Sequence, residues 1–182
     1  MRRFFVVFLV ALLTLSAGSQ SAFAQSDDLD HLFAQLREPA SNATAISIET
    51  QIWNLWMHGG THAENEALAK ATQAMNSGNN TEAERQLNIL ISQTQSFPEA
   101  YNKRATLYFM MGRYEESLSD IVKTLDLEPR HFGALSGRGM IMQRLGRDAD
   151  AIAAYKEALI MNPNLGGAIT ALRELEKQAP DL

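Results

Sequence analysis

An all-α solenoid of three repeats is the fold the sequence predicts, and three observations predict it. Gly78, Gly112 and Gly146 stand 34 residues apart, and a fixed period of roughly 20 to 50 residues marks a stacked array. The same offset aligns Pro129 with Pro163, the small residues Ala71, Ala105 and Gly139, the small residues Ala83, Ser117 and Ala151, and the large apolar residues Leu87, Ile121 and Tyr155. Outside the period, apolar residues recur at helical spacing: Leu29, Leu32, Phe33 and Leu36, then Ile48, Ile52, Leu55 and Trp56, and at the far end Ile169, Leu172 and Leu175.

Residues 1–24 read as an export signal. Arg2 and Arg3 precede the apolar run Phe4–Leu15, and Ala22-Phe23-Ala24 offers a small-residue cleavage site before Gln25. The apolar run is short of the roughly 20 residues a permanent membrane span needs, and the chain has no cysteine for a lipoprotein anchor. Cleavage leaves 158 of 182 residues and no membrane span, in the periplasm or outside the cell. The segment 25–63 follows, with one helix expected in LDHLFAQLRE and a second in AISIETQIWNLWMHGG, ended by Gly59 and Gly60. These two helices are expected to pack on the first repeat and cover its apolar side.

The 34-residue pattern resembles the tetratricopeptide repeat family, whose unit is two antiparallel helices. Units then fall at 64–97, 98–131 and 132–165, and the stretch AITALRELEKQ within 166–182 resembles the capping helix of such arrays. The first unit departs from the pattern, with Gln95 in the proline column and Ala67 and Ala74 in place of larger residues. Under this resemblance the glycine column ends each first helix in a left-handed conformation. Ala105 and Ser117 let two helices approach while Tyr101, Tyr108 and Ile121 fill the space around them. Pro129 and Pro163 disfavour helix in the residue before them and suit the first turn of the next helix. The signal segment, the tryptophan-bearing helix and LEPRHFGALSG together resemble small exported tetratricopeptide proteins of Gram-negative bacteria.

The cluster Glu128, Arg130 and His131 in DLEPRHFGAL is then a boundary between units, not a reaction centre. His131 as an acid–base group would need a cleft and an orienting partner. His58 and His62 have a metal-ligand spacing, but Gly59 and Gly60 lie between them. GRGMIM lacks the third glycine and the preceding strand of a phosphate loop. No catalytic residue, cofactor or metal is therefore assigned. Removal of Arg2 and Arg3 moves the formal charge from −5 to −7, which opposes nucleic acid as a partner.

The resemblance implies that first helices line a concave face, which makes Asn65, Leu68, Thr72, Met75 and Asn76 groove candidates in the first unit. Glu99, Asn102, Lys103, Thr106, Phe109 and Met110 follow from the second, and Ser136, Met140, Gln143 and Arg144 from the third. Methionines beside Phe109 suit a peptide or helix of variable detail, or serve only to pack helices together. One variant of the family grips a C-terminal carboxylate, but its places hold Leu68, Thr72, Lys103, Gly133 and Gly137, so a chaperone-tail receptor is not implied. Lys70, Arg104 and Arg138 form a basic column that either pairs with acids such as Asp120 or meets an acidic partner. The reading is a periplasmic adaptor for a protein or peptide. Its rivals are a cell-envelope assembly subunit joined through Trp53 and Trp56, and an enzyme using His58, His62 or His131.

Overall fold

The computed structural model describes residues 17–178, with side chains from Ser26 onward. Among these residues the chain forms nine helices and no strand: α1 (Ala17–Arg37), α2 (Asn42–Met57), α3 (His62–Asn76), α4 (Asn80–Gln93), α5 (Pro98–Met110), α6 (Tyr114–Leu127), α7 (Phe132–Arg144), α8 (Asp148–Met161) and α9 (Gly166–Gln178). The fold is the all-α solenoid the period predicts. Arg2, Arg3 and the apolar run lie outside the described residues, as do the side chains of the cleavage site. No described helix is long and apolar enough to cross a membrane.

Three antiparallel hairpins, α3/α4, α5/α6 and α7/α8, share one turn chemistry. Gly78, Gly112 and Gly146 have φ of 74°, 72° and 68°, the left-handed region that side chains resist. An added Cβ would meet nothing within 4 Å, so conformation and not space calls for glycine here. Each turn closes on paired bonds, such as Gly112 N–H to Phe109 O at 3.0 Å and Arg113 N–H to Tyr108 O at 2.9 Å, which satisfy carbonyls the helix end leaves open.

Small residues then let the hairpins close. The Ser117 hydroxyl donates to the carbonyl of Ala105 at 2.7 Å, and a Cβ on Gly139 would sit 2.7 Å from the Tyr155 ring. Arg104 joins three helices, with two bonds of 2.7 Å to Asp120 and one of 2.8 Å to Asn88. The Asp120 hydrogen bonds raise the Arg104 pKa above its ordinary value. Arg138 pairs with Glu157, so these two members of the basic column have acidic partners within the chain, while Lys70 is exposed.

Proline acts one step earlier than the sequence suggests. Pro129 and Pro163 lie in the turns before α7 and α9, not in their first turns. The residues ahead of them, Glu128 and Asn162, are extended C-caps at φ −136° and −131°, as steric conflict with the proline ring requires. After the first unit, which lacks the column proline, Pro98 supplies the next helix start, at the head of α5.

The N-terminal hairpin α1/α2 touches the first repeat through Met57 at its end, but its core does not cover that repeat as expected. Leu29, Leu32, Phe33, Leu36, Ile48, Ile52 and Trp56 form a core with Phe132 at the head of α7, against Met161 and Leu165 at the α8–α9 turn. Asn162 donates to Glu49 at 2.9 Å, and Asn164 donates to the carbonyl of Leu36 at 3.2 Å. The physical reason is shape and aromatic area: the indoles of α2 find His131, Phe132 and the bare backbone of Gly133, which the first repeat does not offer. At the other end α9 caps the array, with Ala168 and Leu175 buried against Met142, Ile152 and Tyr155.

Candidate functional site

α5 and α7 run side by side, and the face they share is closed at one end and open further along. At the closed end His131 is fully buried. Its Nδ1 accepts the Ala134 backbone N–H at 3.1 Å, capping α7. That bond leaves Nε2 as the protonated nitrogen, donating to Glu99 at 3.0 Å. Asn102 donates to the same carboxylate oxygen at 3.0 Å. The other oxygen of Glu99 has no hydrogen bond, but the Lys103 ammonium lies 3.4 Å away. Trp56 stacks on the imidazole at 4.0 Å, and Trp53 meets it edge-on at 5.5 Å. The orienting carboxylate that an acid–base histidine needs is therefore present, and the cleft is not.

Further along, a cavity of about 280 Å³ opens between α5 and α7. α5 contributes Asn102, Ala105, Thr106 and Phe109; α7 contributes Gly133, Ala134, Ser136, Gly137, Met140 and Ile141; Ser117 and Ile121 of α6, Leu165 and Trp53 of α2 complete the lining. No lining residue is charged. The Thr106 hydroxyl is turned onto the carbonyl of Asn102 at 2.9 Å and that of Ser117 onto Ala105, so both present mainly carbon.

The structure thus gathers Asn102, Thr106, Phe109, Ser136 and Met140 of the groove candidates into one place. Others are used within the fold. Asn65 clamps the turn before α3 through Gly60 and His58. Thr72 bonds to the carbonyl of Leu68, while Leu68 and Met75 are core of the first hairpin. Glu99 is fully buried with Lys103 committed to it, and Gln143 accepts from Tyr155 at 3.2 Å. Asn76, Met110 and Arg144 are exposed outside the cavity. Sequence reasoning missed Trp53 and Leu165 as lining residues; Gly133 and Gly137 it placed only as groove positions lacking a carboxylate-gripping side chain, and two glycines four apart on one helical face mark a strip without side chains.

The residues of the rival readings are likewise placed. Trp56 is 2% exposed and packs within the chain, so it offers no surface for self-assembly, while Trp53 is half-buried and lines the cavity. His58 bonds to the Asn54 carbonyl at 2.8 Å and His62 lies 3.5 Å from Glu66. Among the described residues no cluster of three or more His, Cys, Asp or Glu is placed to hold a metal ion.

Comparison with known proteins bears on the whole chain. A family model described as a tetratricopeptide repeat-like domain matches residues 3–173. A TPR repeat-containing protein of Rhizobium etli is 37% identical over 135 residues, covering 74% of this chain and 66% of that one. Among solved structures, one of MamA superposes with a TM-score of 0.61 at 15% identity, over 92% of this chain and 87% of MamA. The first TPR of Spaghetti, bound to an HSP90 peptide, superposes with a TM-score of 0.63 at 20% identity, over 67% of this chain and 97% of that domain.

Proposed function

The chain belongs to the tetratricopeptide repeat-like domain family, and from that premise we propose that it is a protein-interaction scaffold of the periplasm, holding a segment of a partner protein and performing no chemistry of its own. The observation that carries this reading is the uncharged cavity between α5 and α7. A rigid scaffold with side chains already placed lowers the ordering cost of binding a flexible segment. The Spaghetti domain with its HSP90 peptide supports a peptide as the class of partner. Export rests on Arg2, Arg3, the apolar run and the alanines at 22 and 24.

A photo-crosslinking side chain at Met140, with Val122 on α6 as the exposed control, tests the scaffold reading in cells that express the full chain. Partner adducts from position 140 and not from 122 are expected. The reading fails if position 140 gives none, or gives only those that 122 gives. Export is tested separately by N-terminal sequencing of the periplasmic fraction: a mature start at Gln25 is expected, and a cytoplasmic chain retaining Arg2 and Arg3 contradicts it.

A further inference from the structure

We propose that the α5–α7 cavity is a socket for one large uncharged side chain from the interior of a partner segment, and that Trp53, from outside the repeats, is the wall that selects it. This rests on the scaffold reading of the same cavity and narrows its partner. Size is the first argument. The cavity, about 280 Å³, has room for one whole side chain and is lined throughout by uncharged residues.

Charge is the second argument. Both cations of α5 are already held by buried carboxylates, Lys103 by Glu99 and Arg104 by Asp120. Turning either toward a ligand would leave a buried carboxylate uncompensated, a heavy cost. Asn102 is likewise engaged by Glu99. A free C-terminal carboxylate therefore finds no available cation on α5, and a charged side chain would lose its hydration without a partner. An aliphatic or aromatic side chain loses nothing and gains the rings of Trp53 and Phe109 and the thioether of Met140.

The third argument is continuity with an interface the chain already forms. Trp53 packs edge-on against Phe132 at 5.4 Å and against His131 at 5.5 Å, which fixes the ring before any partner arrives. A Cβ on Gly133 would stand 2.5 Å from this indole, whereas one on Gly137 would meet only Ile121, at 3.7 Å. The first glycine admits Trp53; the second leaves the space beside it unfilled. An external anchor would thus extend a row of aromatic contacts begun by α2.

The test uses the full chain and short acetylated, amidated Ser/Gly/Asn peptides with one central Leu, Lys, Glu or Ser, and a further peptide ending in Leu with a free carboxylate. Binding is read by NMR from broadening of the peptide signals up to millimolar protein. The central-Leu peptide is expected to bind, with Lys and Glu peptides weaker by roughly thirtyfold or more, as for loss of a central anchor. Gly137→Leu, which fills the socket from α7, should weaken the Leu peptide by a similar factor, and the milder Gly137→Ala by less. The proposal is overturned if charged or carboxylate-ended peptides bind as well as central Leu, if Gly137→Leu folds and binds unchanged, or if no Leu peptide broadens. Faster proteolysis at Arg37 on binding would also overturn it, because α2 would then be displaced and not abutted. So would a sedimentation mass showing a second copy seated on Trp53. Crosslinking at Met140 without Leu selectivity would sink the socket and leave the scaffold standing.

Discussion

The first turns of α5 and α7 and the middle turns of the same helices are neighbours, yet the chain has treated them differently. Where the first turns meet, Glu99 is buried with its charge, His131 and Asn102 donate to it, Lys103 lies beside it, and Trp56 covers the buried histidine. One turn on, Thr106, Ser136, Gly137 and Met140 carry no charge, and the surface stays open. Buried ionic groups are tolerated only with partners, and at the charged end the chain supplies those partners from its own residues. An apolar hollow makes no such demand and can wait for a partner. The same two helices thus serve stability at one end and recognition at the other, with Trp53 at the border.

Substitutions on either side of that border should separate the two roles. Trp56→Ala, at the sealed end, should have the largest effect: about 3–5 kcal/mol lost in chemical denaturation, as for other buried tryptophans, with the α1/α2 hairpin loosened. A loss under about 1 kcal/mol would mean that α2 is only weakly docked. At the border Gly133→Ala forces the Trp53 indole aside and should cost about 1–3 kcal/mol by overpacking; an unchanged unfolding midpoint would show that the indole is mobile. Gly137→Ala, at the open end, should raise stability by up to about 1 kcal/mol, because alanine favours helix and its Cβ has room. A destabilised Gly137→Ala would mean that the hollow is narrower than its lining suggests. Met140→Ser, exposed on the same side, should change stability by no more than about 0.5 kcal/mol while weakening partner capture.

What the sequence made legible follows from where each constraint is local. The φ of Gly78, Gly112 and Gly146 depends on the turn they occupy, so one residue type at a fixed period reveals three hairpins. Helical spacing in α1 and α2 was as clear, but their destination was not, because it depends on the fit of Trp53 to Gly133 across 80 residues of chain. Glu99 shows the same limit. On α5 alone a glutamate reads as a solvent-facing groove residue, and the partner that α5 cannot show is His131, 32 positions later, which helps make its burial tolerable. Five of the groove candidates lie together in the cavity because helix periodicity sets which side of α5 and α7 they face. Trp53 of α2, Ser117 and Ile121 of α6, and Leu165 also line the cavity, and no period within α5 or α7 could indicate them.

The most direct measurement is methionine-methyl NMR of the full chain as the central-Leu peptide is added. Met140 lines the cavity, Met75 lies in the core of the first hairpin, and Met161 packs against the α1/α2 core. A saturable shift of the Met140 methyl, with Met75 and Met161 unmoved, is the result predicted. A shift of Met75 in place of Met140 would put the ligand elsewhere, and a shift of Met161 would mean that the N-terminal hairpin lets go when the partner arrives.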